Sequence, residues 1–277
     1  MVREFRFGIG VRSVRSSARF SDKVRRFADQ GYDVVHVPDH IGAPAPFPAM
    51  VAAACAAQIR VGTYVLNTAF YKPALLARDA SAVDVLSDGR LELGLGTGYV
   101  REEFEAADIP YPSAGERVAH LRRTTMFLKE TLPAVPLLIA GNGDRVLTIA
   151  AHHADIIGFT GGGLPTPDNP DPMAERVAFV RTAAGKRIDH LEFNLAITAV
   201  PSGIAEKSNG TVDLALTRAY FPGATDEQLM AMPSVLTGSP QHIADTLRSH
   251  RERYGVSYFT VQDYHGDFFA EVIEALR

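Results

Sequence analysis

Between residues 5 and 276 the chain repeats one unit eight times: a short apolar run with the period of a strand, then a segment with the period of a helix. Strands are read at 5–11, 33–37, 59–66, 90–97, 135–140, 154–160, 193–200 and 258–262. Helices are read at 22–30 (after a cap at Ser21), 48–57, 73–86, 117–132, 144–152, 173–184, 239–254 and 268–276. Eight such units in 277 residues is the count of a closed (β/α)8 barrel, the TIM barrel of the α/β class. An open doubly wound sheet has the same local pattern, so periodicity leaves both open. No linker divides the chain, and residues 1–277 read as a single domain. The stretch 202–233 is polar and carries little periodicity, apart from a capped helix start at Ala224-Thr225-Asp226-Glu227.

Composition narrows the function classes. A net charge of −4 and the lack of any Lys/Arg block argue against a nucleic-acid partner. The first residues lack the apolar run of a signal peptide, and no stretch approaches the roughly 18 apolar residues of a membrane span. The lone cysteine, Cys55, excludes an internal disulfide and fits a reducing cytoplasm. Its alanine-rich surroundings, 51–57, read it as a buried small hydrophobe.

The fourth strand has a distinctive exit. Ser87-Asp88-Gly89 supplies a turn, Leu91, Leu93 and Leu95 alternate with Glu92, Gly94 and Gly96, and Thr97-Gly98-Tyr99 follows. Glycines at alternate positions clear one face of the strand, so that something bulky lies against its backbone. In a barrel, chemistry gathers where strands end. The other strand ends here are Asp39-His40, Tyr64-Val65-Leu66-Asn67, Gly141-Asn142-Gly143 and Thr160-Gly161-Gly162-Gly163. Rich in Gly, Thr and Asn and poor in acids, they suit a planar or phosphorylated cofactor better than a metal. The Gly141–Gly143 turn precedes a helix, whose free N–H groups and dipole form a natural anion site. His152-His153 is no metal pair, because adjacent helical residues point about 100° apart. The basic helix residues Arg117, Arg122, Arg123 and Lys129 read as a solvated face.

In combination these segments resemble the luciferase-like flavin monooxygenase superfamily, and within it the branch that uses the deazaflavin coenzyme F420. The resemblance lies in Val37-Pro38-Asp39-His40, Val61-Gly62-Thr63, Tyr71-Lys72-Pro73, Leu86-Ser87-Asp88-Gly89-Arg90-Leu91, Gly94-Leu95-Gly96-Thr97-Gly98-Tyr99 with Glu103-Phe104, and Ile139-Ala140-Gly141-Asn142-Gly143. It extends to Leu236-Thr237-Gly238-Ser239-Pro240 and Tyr258-Phe259-Thr260-Val261. It implies the closed barrel and a cytoplasmic oxidoreductase, commonly a homodimer, acting on a small molecule.

Carried over by position, the resemblance assigns catalysis to His40, with Asp39 in support, and a non-prolyl cis peptide to Tyr64–Val65 beneath the cofactor ring. It assigns cofactor binding to Tyr64, Val65, Asn67, Thr97, Gly98, Tyr99, Ala140, Gly141, Asn142, Gly143, Thr160 and Gly161. Of these, Thr97–Tyr99 and Gly141–Gly143 match phosphate-holding segments, and Thr160 and Gly161 line the substrate side. Relatives that oxidise sugar phosphates carry a glutamate at the position of Tyr99 and a lysine near Gly163; this chain has neither. It also runs almost directly from Leu132 to Val135, where many relatives insert a segment over the active site, leaving 202–233 as the stretch available for a lid. The cofactor is thus read as F420, with FMN as the alternative. The functions that follow are F420-dependent hydride transfer, FMN-dependent monooxygenation, or cofactor binding without catalysis.

Overall fold

The computed structural model describes residues 3–201 and 212–277. The first half runs β1 (Arg6–Gly10), α1 (Ser17–Asp29), β2 (Val34–Val37), α2 (Pro46–Ala56), β3 (Arg60–Thr63), β4 (Leu66–Asn67), α3 (Pro73–Leu86), β5 (Leu91–Gly96), α4 (Arg101–Ala106) and α5 (Ala114–Thr131). The second runs β6 (Leu137–Ala140), α6 (Asp144–His153), β7 (Ile156–Thr160), α7 (Pro172–Ala184), β8 (Glu192–Ala196), α8 (Ala215–Tyr220), α9 (Asp226–Met230), α10 (Pro240–Tyr254), β9 (Val256–Gln262) and α11 (Gly266–Leu276). All strand pairs are parallel. β3 and β4 both pair with β5, so nine segments make eight staves and the sheet closes on itself. The closed barrel, one of the two folds the repeat allows and the one the resemblance implies, is the observed fold.

The third stave is where chain and expectation part. A cis peptide at Tyr64–Val65 interrupts it, so the strand read at 59–66 is two segments. The interruption also explains the glycine ladder. Leu91, Leu93 and Leu95 face the helical ring and are fully buried in the main core. On the opposite face, a Cβ on Gly94 would stand 2.0 Å from the Thr63 carbonyl, and one on Gly96 would stand 2.6 Å from Val65. What lies against these glycines is therefore the chain itself. Thr63 completes the contact by accepting from the Gly94 N–H and donating to the Gly94 carbonyl.

Other differences have local causes. α1 starts at Ser17 rather than 22, because Ser16 caps it by accepting from the Arg19 N–H and Phe20 is buried. α5 starts at Ala114, held by a capping box between Ser113 and Glu116. Cys55 is exposed, not buried. α2 turns Ala49, Met50, Ala53 and Ala54 inward, a stripe at helical spacing that leaves position 55 on the outside. The strand read at 193–200 stops at Ala196, since Thr198 and Ala199 leave the barrel to bond the Ser234 carbonyl.

That departure starts a second layer over the mouth. Ala199, Ala224, Leu229, Met232 and Val235 form a small hydrophobic cluster of their own, with Phe221 and Leu164 packed on it. The Thr225 cap anticipated for this stretch is present as a capping box with Gln228. Of the stretch 202–233 read as a lid, residues 202–211 lie outside the described residues. Among the described residues no helix is long and apolar enough to cross a membrane.

Candidate active site

Every residue singled out at a strand end lies at the C-terminal rim of the barrel. His40 follows β2 by three residues, one-third exposed, and its Nδ1 lies 2.7 Å from Glu103 Oε1 on α4. The Tyr99 ring stands edge-on to the imidazole, with centroids 6.4 Å apart. With Nδ1 engaged, Nε2 is the ring nitrogen without a protein partner among the described residues.

Asp39 faces elsewhere. Its Oδ2 accepts from the Asn67 N–H at 3.0 Å, and the Tyr71 hydroxyl also donates to it. Burial raises the carboxyl above its ordinary pKa, and those two hydrogen bonds oppose the rise. Asp39 therefore fastens the end of β2 to β4, and the carboxylate that orients His40 is Glu103. Neighbouring side chains at a strand end diverge, and these two follow the rule.

Around the cis peptide, Tyr64 points into the barrel: its hydroxyl donates to Asn194 Oδ1 at 2.8 Å and its ring stacks on His36. The rim surface at this stave is thus the 64–65 backbone and Val65. Asn67 accepts from the Ala69 N–H and packs so tightly on Gly98 that a Cβ there would come within 2.2 Å of Asn67 Oδ1. Gly98 also has φ +69°, a left-handed conformation that glycine adopts without strain. Next to it, Tyr99 is 61% exposed, and its hydroxyl is paired with that of Tyr220 from α8. Partial burial, Tyr220 and the Glu103 charge push the Tyr99 phenol up to about 12, so it stays protonated at neutral pH.

The Ala140–Gly143 segment divides its work. The Gly141 N–H donates to the Gly158 carbonyl. The Asn142 amide clamps Thr160, accepting from its N–H at 3.2 Å and donating to its carbonyl at 2.7 Å. That amide joins β6 to β7 through both its oxygen and its nitrogen, and the adjoining surface for an anion is the N-terminus of α6. Gly143 caps that helix without a side-chain hydrogen bond, and nothing lies within 4 Å of where its Cβ would be. A Cβ on Gly161 (φ +70°) would stand 3.2–3.5 Å from Met232, Phe221 and Ser234, so the second layer packs directly over the end of β7.

Three residues of the rim escaped the sequence reading. Glu103 sits in a segment quoted for its resemblance, but its role depends on a contact across 63 residues. Arg12, just past β1, opposes the burial-driven rise in the phenol pKa values of Tyr99, Tyr220 and Tyr264, which places a cation near three hydroxyls. Its only sequence signal is its place after a strand. Tyr220 lies in the stretch that carries little periodicity.

Residues 6–232 match the family described as luciferase-like monooxygenase. The chain belongs to that family. Among curated relatives of these luciferase-like proteins, an F420-dependent glucose-6-phosphate dehydrogenase of Amycolatopsis mediterranei is 32% identical over 115 residues, 38% of this chain and 34% of the relative. An uncharacterized protein of Mycobacterium tuberculosis is 29% identical over 151 residues, 47% of this chain and 51% of the relative. The matched stretches thus span about half or less of these relatives. Solved structures share the fold over nearly the whole chain. The coenzyme F420 dependent tetrahydromethanopterin reductase of Methanopyrus kandleri superposes with a TM-score of 0.72 at 15% identity, covering 99% of this chain and 100% of that one. An F420-dependent secondary alcohol dehydrogenase gives 0.76 at 16%, with the same coverage. A monooxygenase from Streptomyces bottropensis gives 0.75 at 17%, covering 97% of this chain and 98% of that one.

Proposed function

We propose that this luciferase-like protein is an F420-dependent oxidoreductase that moves a hydride between the deazaflavin C5 and a small organic substrate. The observation that carries the reading is the His40–Glu103 pair at the barrel mouth, 2.7 Å long and one-third open to solvent. The rim offers the cofactor two surfaces: the α6 N-terminus at Gly143, which has no side-chain cap bond, for a phosphate, and Val65 with the 64–65 backbone for a planar ring. When bound, the deazaflavin supplies a hydride donor or acceptor at C5.

The protein's part is the proton. Hydride loss from an alcohol carbon releases a hydroxyl proton, and His40 Nε2 accepts it while the Glu103 carboxylate stabilises the imidazolium through Nδ1. In the reducing direction the same nitrogen delivers a proton to the substrate. Imidazole suits both roles because its unperturbed pKa of about 6.5 lies near working pH. Tyr99 and Tyr220 are neutral and bonded to each other, which leaves one hydroxyl proton of the pair as a hydrogen-bond donor near it. A tyrosine in place of the glutamate of sugar-phosphate-oxidising relatives directs the reading away from a phosphorylated sugar. The reading carries with it a homodimer and a cytoplasmic location.

A second reading, FMN-dependent monooxygenation, is favoured by the equal likeness of the Streptomyces monooxygenase fold. A substrate screen run with F420 and with FMN, each with and without oxygen, separates the two. Oxygen-independent turnover with F420 is the expected result. Turnover that requires both FMN and oxygen overturns the proposal.

A further inference from the structure

The basic residues of α5 do not form one solvated face. Lys129 pairs with Asp155 at 3.0 Å. Arg117 and Arg123 line a groove against residues 69–72. Arg122 turns the other way and, with Val118 one turn earlier, lines a groove of about 380 Å³ against α6. On the α6 side Arg145, Thr148, Ile149 and His152 recur at three- and four-residue spacing, so they form one stripe.

The lining holds Arg122, Arg145, His152 and His153 and no acid. The acids at the two ends of α6 are already engaged, Asp144 by Arg176 and Asp155 by Lys129. Among the described residues neither Arg122 nor Arg145 has an ion-pair partner. The crowding of cations is visible in His153, whose pKa is lowered by burial first and then by His152, Arg122 and Arg187. Like charges gathered in this way repel one another until an anion meets them.

The groove starts at the mouth. Arg145 comes two residues after Gly143, the cap of α6 and the candidate phosphate seat. Its guanidinium lies 3.7 Å from where a Cβ would stand on Gly115, near the start of α5. We infer that this groove holds the tail of coenzyme F420, the lactyl-oligoglutamate chain that continues from the ribityl phosphate, with Arg145, Arg122 and the His152-His153 pair meeting its carboxylates in turn. The inference rests on the F420 reading above.

Lengths agree. From Arg145 to His152 the helix rises about 10 Å at about 1.5 Å per residue. A lactyl-diglutamyl chain, about three residues long, extends about 10 Å. FMN ends at its phosphate and has nothing to place there, so the groove distinguishes the two cofactors by a part remote from the chemistry.

The test is a calorimetric titration of the full chain with three ligands: F420 carrying several glutamates, the same deazaflavin ending at its phosphate, and FMN. The parent is compared with an Arg122→Ala/Arg145→Ala variant and an Arg122→Lys/Arg145→Lys variant. The parent binds the tailed form about tenfold tighter than the truncated one, the scale of two partly exposed ion pairs. The alanine variant loses that advantage while its affinity for the truncated form is unchanged. The lysine variant keeps most of it, and rising salt erodes it. Equal binding of both deazaflavins by the parent, or equal weakening of both by the alanine variant, overturns the groove and leaves the cofactor reading standing. Binding of FMN with neither deazaflavin bound overturns both.

Discussion

β2 and the loop after it carry two histidines four residues apart, each tied to a glutamate, and the two pairs do opposite things. His36 lies inside the barrel with no exposure. Its Nε2 donates to the Tyr258 hydroxyl at 2.9 Å, which donates to Glu92 Oε1 at 2.8 Å. Glu92 also receives Arg6 at 2.6 Å, and a second Arg6 nitrogen pairs with Glu192. Among the described residues, His40 stands at the mouth with one hydrogen-bonding partner and a free edge. Burial and the chain of hydrogen bonds through Tyr258 and Glu92 hold the first group in place inside the barrel. Partial exposure and an unspent nitrogen leave the second able to exchange a proton. The residue types are the same, and their placement on the barrel axis decides whether they serve stability or chemistry.

Substitution of His40 tests the mouth half of this contrast and has the largest expected effect. His40→Ala lowers turnover by roughly 10²–10⁴-fold, the range for a general acid–base group. Its unfolding free energy in urea stays within about 1 kcal/mol of the parent, as expected for a partly exposed side chain. Undiminished turnover removes the histidine from the mechanism and makes Tyr99 the next proton donor to examine.

Breaking the interior pair reverses the pattern. Glu92→Ala leaves Arg6 and Tyr258 without their shared acceptor and costs about 3–5 kcal/mol of stability, read from denaturant midpoints. Cofactor affinity of the folded fraction is unchanged. A loss of cofactor binding at full stability would reverse the assignments of the two regions.

Acid sharpens the same point. Burial pushes the Glu92 carboxyl up, but the His36 and Arg6 interactions outweigh it and hold the group at about 2, against an ordinary 4.5. A carboxyl depressed in the folded state stabilises the fold above its unfolded pKa, and that stability is lost as pH falls. The window is therefore about pH 4.5 down to 2, and the total is on the order of 3 kcal/mol. Asp39 and Glu192, whose pKa values are raised by burial, act with the opposite sign, so the quantity to measure is the difference between parent and Glu92→Gln. That difference shrinks through the window; a constant difference contradicts the assignment.

Glu103 supplies the smallest of these effects. Glu103→Gln keeps a hydrogen bond to His40 but loses the charge that steadies the imidazolium, and kcat falls by about 10–100-fold with cofactor affinity unchanged, the scale of a charge-assisted hydrogen bond. Glu103→Asp restores part of the loss. A change in cofactor affinity without a change in kcat makes Glu103 a scaffold residue.

The eight strand–helix units were legible because each carries its own period and punctuation; the helix read at 239–254, for example, is α10, with Ser239 as its cap. Resemblance placed the cis peptide at Tyr64–Val65, where it stands. What stayed hidden depends on contacts between distant elements. The spacing of Gly94 and Gly96 showed that one face was clear, yet only the folded third stave shows that Thr63 and Val65 fill it. Asp39 is adjacent to His40 in sequence and was read as its support; Glu103 reaches the same imidazole from α4. Helix phase decided Cys55, since a run of alanines does not reveal which side meets the core.

Equilibrium titration of the apoprotein with F420 and, separately, with FMN, followed by cofactor fluorescence, tests the central claim most directly. The account predicts saturable F420 binding, with FMN bound more weakly. Tight FMN binding with no detectable F420 binding would contradict it.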